Sequence, residues 1–330
     1  MNYRKFGKTD LEVSEVGFGA WAIGGPAMAG DIPIGWGDVD DKTSVAALKK
    51  SLDQGVNFFD TADFYGLGHS EELIGKTFSN RSDVIIASKV GHRLDQQQQI
   101  YLDYSKKYIL EACEQSLKRL KRDQIDFYQL HAARMPHLEE GGCIEAMESL
   151  VKTGKIRYWG LSLHTYNPEP EAEYMLSGHH GHGFQVVFNI INQKALPIIK
   201  QAAENGMGII ARMPLQFGLL TGKFNRESKF KKDDHRNFRL KPAVLSKSLD
   251  ALEGVWPLAK KYNFNPAELA LSFILNHPEV STVIPGIKNP EQAIKNTSNL
   301  TVLEKNDLEY LHHEYDRQYR DLLEFMQAHG

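Results

Sequence analysis

Residues 56–90 read VNFFDTADFYGLGHSEELIGKTFSNRSDVIIASKV, and the alternation inside this stretch decides the fold. A β-rich apolar run, Val56 to Ala62, gives way to a glycine-punctuated loop and then to Ser70–Phe78, which has helical periodicity. A second apolar run, Val84 to Val90, follows. Continuous apolar runs, unlike alternating ones, suit parallel strands covered on both faces.

Working outward, the same unit recurs. Further runs span Val13–Trp21, Ile125–His131, Ile156–Leu163, Phe184–Ile190, Gly208–Met213 and Thr282–Ile287, which makes eight in all. Helical patterns fall between and after them at Lys42–Gln54, Ser105–Lys121, Ile144–Lys152, Glu169–Leu176, Leu196–Asn205, Pro266–Leu275, Pro290–Asn296 and Glu304–Gln327. Eight strands with interleaved helices close most naturally into an α/β (β/α)₈ TIM barrel, expected as a single domain over residues 1–330. Tyr3 to Val13, centred on Gly7-Lys8-Thr9-Asp10, reads as a β-hairpin that plugs the bottom of the barrel. A doubly wound nucleotide fold would need Gly-x-Gly-x-x-Gly after its first strand, and Gly17-Phe-Gly19-Ala-Trp-Ala22 lacks the third glycine. Gly218-Leu-Leu-Thr-Gly222-Lys223 is one residue too short for a P-loop and lacks the following Ser or Thr.

Composition narrows the function. The chain has 42% hydrophobic and 25% charged residues with a formal net charge of −3, an ordinary globular balance without the concentrated positive charge that nucleic acid or an anionic membrane requires. The first residues lack the apolar core of a signal peptide, and no run of about 18 apolar residues occurs, so the expected location is the cytoplasm. Two cysteines, Cys113 and Cys143, are too few for a disulfide framework and fall in helical segments, as packing thiols do.

In such barrels reactive side chains sit at the C-terminal ends of the strands. Asp60, Lys89 and His131 fall at the ends of the second, third and fourth runs, and Tyr65 lies in the loop after Asp60. Reducing a carbonyl by hydride transfer leaves an alkoxide that must take up a proton, and a phenol can supply it if a cation stands beside it. Tyr65 is then the acid, Lys89 the cation, Asp60 its holder, and His131 the group that orients and polarises the substrate oxygen. Taken singly, each has a plainer reading: an ion-paired lysine, a helix cap or metal ligand, a loop anchor. Their placement at successive strand ends favours the site.

At these residues the chain resembles the aldo-keto reductase family, from about Tyr3 to Leu300. The matching motifs are FGAWAIGG (18–25), FFDTADFYG (58–66), GHSEE (68–72), ASK (87–89), DFYQLH (126–131), GKIRYWGLS (154–162), GLLTGK (218–223) and VIPGIK (283–288). The resemblance implies NADP(H) lying across the C-terminal mouth, a small carbonyl substrate, and the tetrad Asp60, Tyr65, Lys89 and His131. It assigns Ser162 and Gln185 to the nicotinamide carboxamide, with Asn189 as a further candidate, while Leu163 replaces the asparagine usual after that serine. Arg212 stands where many members place an aromatic residue on the ring; its guanidinium can stack or reach the pyrophosphate. Pro214, Leu215, Gly218, Leu220, Gly222 and Lys223 fall in the pyrophosphate loop and Gly286 in the turn after the eighth strand. Barrels often bind phosphate after strands seven and eight. Lys288 would meet the 2′-phosphate, with Gln292 and Asn296 at the adenine. Trp21 is assigned to the cofactor cleft, and with Trp36, Tyr65 and His131 it would also line an aromatic substrate pocket.

Two segments have double readings: the basic stretch Lys223–Arg239 is a lid over the cofactor phosphates or a solvated loop, and His179-His180-Gly181-His182 is background or an adventitious metal site. A carbonyl reductase is the principal reading, and no resident metal is expected. A non-catalytic NADPH-binding regulatory subunit on the same barrel, like the family's potassium-channel β subunits, is the alternative. A metal-dependent hydrolase using Asp60 and His131 would leave Tyr65 and Lys89 without a role. Substrate identity lies in the loops after strands one, four and seven, and neither it nor the oligomeric state follows from composition.

Overall fold

The computed structural model describes residues 1–79 and 81–329. Eight parallel strands run in chain order: β1 (Phe18–Gly19), β2 (Phe58–Asp60), β3 (Ile85–Val90), β4 (Ile125–His131), β5 (Ile156–Ser162), β6 (Gly183–Val187), β7 (Gly208–Arg212) and β8 (Thr282–Ile284). Parallel bridges from Val16 to Val283 and from Gly19 to Gly286 join the first strand to the last, so the sheet closes into a (β/α)₈ barrel. The apolar runs carry this topology because both faces are covered; all six residues of β3 are buried.

The N-terminal hairpin, Tyr3–Lys5 against Glu12–Ser14, closes the bottom as the sequence predicts. Phe6, Leu11 and Val13 are buried against Phe58, Ile85, Phe127, Ile210 and Ile284 inside the barrel. Phe6 meets the Phe127 ring edge-on at 4.8 Å. A Cβ on Gly208 would lie 2.5 Å from the Phe6 ring, so glycine makes room for the plug. A separate, larger core fills the space between strands and helices.

Several boundaries differ from expectation. β1 is far shorter than Val13–Trp21, because Val13 and Ser14 belong to the hairpin and the chain turns a corner with the Ser14 hydroxyl donating to Val16 O. β6 stops at Val187, where Asn189 Oδ1 accepts from the N–H groups of Ile191 and Asn192 and folds the chain into a turn. β8 stops at Ile284, before Pro285, which has no N–H for the ladder. The last helical segment is interrupted by a π-type turn, Tyr315–Tyr319, between Lys305–Glu314 and Arg320–His329. Helices at Met135–Glu140, Pro242–Leu252 and Trp256–Lys261 add to those expected. Both cysteines are buried and free, and burial pushes the Cys113 thiol up to about 12 and the Cys143 thiol up to about 11.

Candidate active site

Parallel register places Asp60 beside Ala87 and Lys89 beside Gln129, so side chains from three neighbouring strands share one layer at the top of the barrel. Lys89 is fully buried. Its Nζ donates to Asp60 Oδ1 at 2.6 Å, Thr61 O at 2.8 Å and Tyr65 Oη at 3.1 Å, using all three ammonium protons. The other carboxylate oxygen, Asp60 Oδ2, accepts from Gln185 Nε2 at 2.7 Å and Gln129 Nε2 at 3.1 Å. A buried ion pair persists only when satisfied on every side, as this one is. Burial opposes the Lys89 charge, but Asp60 and Tyr65 outweigh it and raise the ammonium above its ordinary value.

The loop carrying Tyr65 is pinned by close backbone contact. Gly66, Leu67 and Gly68 have φ of 60°, 53° and 102°, and a Cβ on Gly66 would lie 2.1 Å from Gly24 O. Such left-handed strain is held by packing of this loop against the loop after β1. Trp21 stacks on Tyr65 with centroids 6.0 Å apart, and Trp36 and His235 meet Trp21 edge-on.

His131 ends β4 and faces Tyr65 edge-on at 5.8 Å. The chain bends sharply at the next residue, Ala132, with φ of 67°. Burial first, then the neighbouring His92, Lys89 and Arg212, hold His131 well below the usual imidazole range. His92, the first residue of a short strand after β3, His92–Leu94, packs against it at 4.4 Å and is itself held down to about 4 by burial and Arg134. Two neutral imidazoles therefore lie side by side, each with a buried Nδ1 that makes no bond.

The residues assigned to the cofactor fall into three groups. Ser162 is buried at the end of β5, in register with His131 and Gln185. Gln185 is committed to Asp60 through Nε2, which leaves Oε1 for another partner. Asn189 staples its loop: its Nδ2 donates to Met213 O and Gln216 Oε1 while its Oδ1 takes the two backbone N–H groups named above. Leu163 is buried in the core. Arg212 ends β7, with Nη2 donating to Leu163 O at 3.1 Å and Thr165 Oγ1 at 3.2 Å, and Nε buried without a partner. Burial lowers this guanidinium from its usual value, against the pull of Tyr65 and Asp60.

Beyond Arg212 the chain enters a strained loop in which Met213, Gln216, Phe217, Gly218 and Gly222 all have positive φ. Pro214 and Leu220 are buried and Leu215 half-buried, so the loop is anchored from below while Lys223 is exposed. Across from it, Gly286 is exposed with open space where a Cβ would stand. Lys288 is half-buried and makes no ion pair among the described residues. Gln292 Oε1 accepts from Lys288 N at 2.9 Å, and Asn296 is buried one helical turn further on. Accessible backbone flanked by two uncommitted lysines is a donor set that fits an extended polyanion.

The basic stretch is a strap across the mouth. It contains the helix His235–Arg239, capped by Asp234. Asp234 bridges Trp36, His235 N donates to Gly35 O at 3.2 Å, and His235 Nδ1 lies 2.9 Å from Pro33 O. Arg236 covers the Trp36 ring at 5.2 Å. The histidine-rich segment near β6 is used in packing: His180 stacks on Tyr174, and His182 Nδ1 accepts from Trp159 N. Among the described residues no group of three His, Cys, Asp or Glu is arranged to hold a metal.

Sequence reasoning did not single out Gln129, His92 or Arg134. A buried glutamine in the middle of an apolar strand was the available signal for the first.

The sequence profile described as the Aldo/keto reductase family matches residues 15–316. The aldo-keto reductase YhdN of Bacillus subtilis (strain 168) is 33% identical over 301 residues, 88% of this chain and 86% of that one. A probable voltage-gated potassium channel subunit beta of Oryza sativa subsp. japonica is 28% identical over 333 residues, 92% of each chain. Among solved structures, the holo form of aldo-keto reductase AKR11C1 from Bacillus halodurans matches with a TM-score of 0.77 at 27% identity, covering 95% of this chain and 96% of its own.

Proposed function

The chain belongs to the aldo/keto reductase family, and on that premise we propose that it reduces a small aldehyde or ketone to the alcohol with NADPH, Tyr65 giving the proton. One observation carries the reading: the buried Lys89 ammonium touches both Asp60, at 2.6 Å, and the Tyr65 hydroxyl, at 3.1 Å. An alkoxide forming on the substrate must be protonated, and the Tyr65 hydroxyl is placed to donate. The ammonium beside it stabilises the phenolate left behind. Asp60, held by Gln129 and Gln185, keeps Lys89 charged and aimed. His131, kept neutral, offers an imidazole N–H to the substrate oxygen without delivering a full charge.

A bound nicotinamide supplies the hydride. The residues suited to hold it are Ser162 and Gln185 at the ring, and Arg212 and Trp21 beside it. The loop from Pro214 through Leu215, Gly218, Leu220 and Gly222 to Lys223 suits the pyrophosphate, and Gly286, Lys288, Gln292 and Asn296 the adenosine end. The half-buried Lys288, without an ion pair among the described residues, favours the extra phosphate of NADPH over NADH.

The test follows NADPH and NADH oxidation by absorbance with aromatic aldehydes, sugar aldehydes and diketones, alongside Tyr65→Phe. Turnover in the variant should fall by about 10²–10⁴-fold while nucleotide binding, read by protein fluorescence, is unchanged. A wild-type protein that binds NADPH yet reduces nothing would instead support a regulatory subunit, the reading that the channel-subunit relative keeps open.

A further inference from the structure

Three consecutive loops place basic side chains on one rim of the mouth. His92 follows Lys89 by three residues, Arg134 follows His131 by three, and His164 follows Ser162 by two. The register that sets Lys89 beside Gln129 and His131 beside Ser162 brings these loops side by side. The rim is continuous with the reaction centre through the His92 and His131 rings, 4.4 Å apart.

Arg134 is half-buried, and among the described residues its guanidinium has no ion-pair partner. Arg4, Arg119, Arg157 and Arg236 are similarly half-buried and each holds a carboxylate, while the half-buried Arg122 and Arg212 donate to backbone carbonyls. Glu171, near Arg134, turns its Oε1 to the backbone N–H of Met135 at 3.3 Å instead. Burial, and then Arg134, hold both His92 and His164 down to about 4, with Arg212 and Lys194 adding to the effect at His164, so these two neighbours carry no charge of their own. A partly desolvated cation without a counter-charge is unfavourable until a ligand provides one.

We propose that Arg134 is a specificity residue that pairs with a carboxylate on the non-reacting end of the substrate, so that the substrates are carbonyl compounds bearing an acid group. A single guanidinium matches one carboxylate in both charge and bidentate geometry. The inference rests on the reductase reading above.

The test is a matched pair, 4-carboxybenzaldehyde and its methyl ester, given to wild type, Arg134→Met and Arg134→Lys. Wild type should favour the acid by about 10–100-fold in kcat/KM, and Arg134→Met should lose that preference through KM while reducing the ester as before. Arg134→Lys should retain part of it. Quenching of tryptophan fluorescence by 4-(hydroxymethyl)benzoate, weakened in Arg134→Met, would support the same pairing without turnover. The proposal is overturned if wild type does not favour the acid, or if the methionine variant slows acid and ester alike. If wild type reduces neither aldehyde nor any other carbonyl, the reductase reading itself fails and this inference falls with it.

Discussion

The two ends of the barrel are built from the same eight strands and could hardly differ more in chemistry. The bottom layer is apolar in its main contacts: Phe6, Phe58, Phe127, Ile210 and Ile284 form one buried hydrophobic cluster. The top layer buries Asp60, Lys89, Gln129 and Gln185. Burying apolar side chains stabilises the fold by about 1.5–3 kcal/mol each, whereas a buried ion pair is at best near neutral against apolar residues of the same shape. The contrast teaches that the plug and the outer core supply the stability that lets the mouth hold desolvated charge in a fixed geometry.

Breaking the top should produce the largest effect. Lys89→Met should lower turnover by about 10²–10⁴-fold and also destabilise the protein by about 3–5 kcal/mol, because Asp60 is left buried without its cation. In the double variant Asp60→Asn/Lys89→Met, denaturation should show most of that stability restored and kinetics none of the turnover. Recovery of turnover would mean that the mouth does not need the charge.

Breaking the bottom should do the reverse. Phe6→Ala should cost about 3–5 kcal/mol in chemical denaturation, since Gly183 and Gly208, which face the ring, have no side chain to fill the cavity, while kcat at low temperature stays as in wild type. A changed kcat with unchanged stability would show that the two ends are coupled.

The smallest effect sharpens the account of the histidines. His92 is held down to about 4 from an ordinary 6.5. The unfolded chain therefore binds a proton that the folded one refuses between those values, and stability falls as pH drops from about 6.5 towards 4. His92→Phe should shrink the stability lost between pH 7 and pH 5 by about 1–2 kcal/mol, measured by denaturation at each pH. An unchanged pH dependence would place His92 in water.

Much of the site was legible because a parallel strand delivers its last residues to a known place. Asp60, Lys89 and His131 needed only the strand rule, and Tyr65 its place in the loop after Asp60. Gln129 was hidden because its role depends on register with Lys89 across a strand boundary. Asn189, a further candidate by its sequence position, sits in a turn whose local hydrogen bonds engage both ends of its amide. The sequence left Lys223–Arg239 as a lid or a solvated loop, because His235 and Pro33 lie about two hundred residues apart and no local pattern links them.

The sequence by itself determined the alternation of strand and helix, the closed parallel sheet, the plug, and the placing of Asp60, Lys89 and His131 at strand ends with Tyr65 in the loop after the second. These follow from periodicity and from the chirality of parallel connections, which are local rules. Only the tertiary structure decided which side chains hold Asp60, that His131 is neutral beside a second imidazole, and that Arg134 makes no ion pair among the described residues. Those are properties of the low-dielectric space between strands, where distance and burial, not order along the chain, set the energy of a charge.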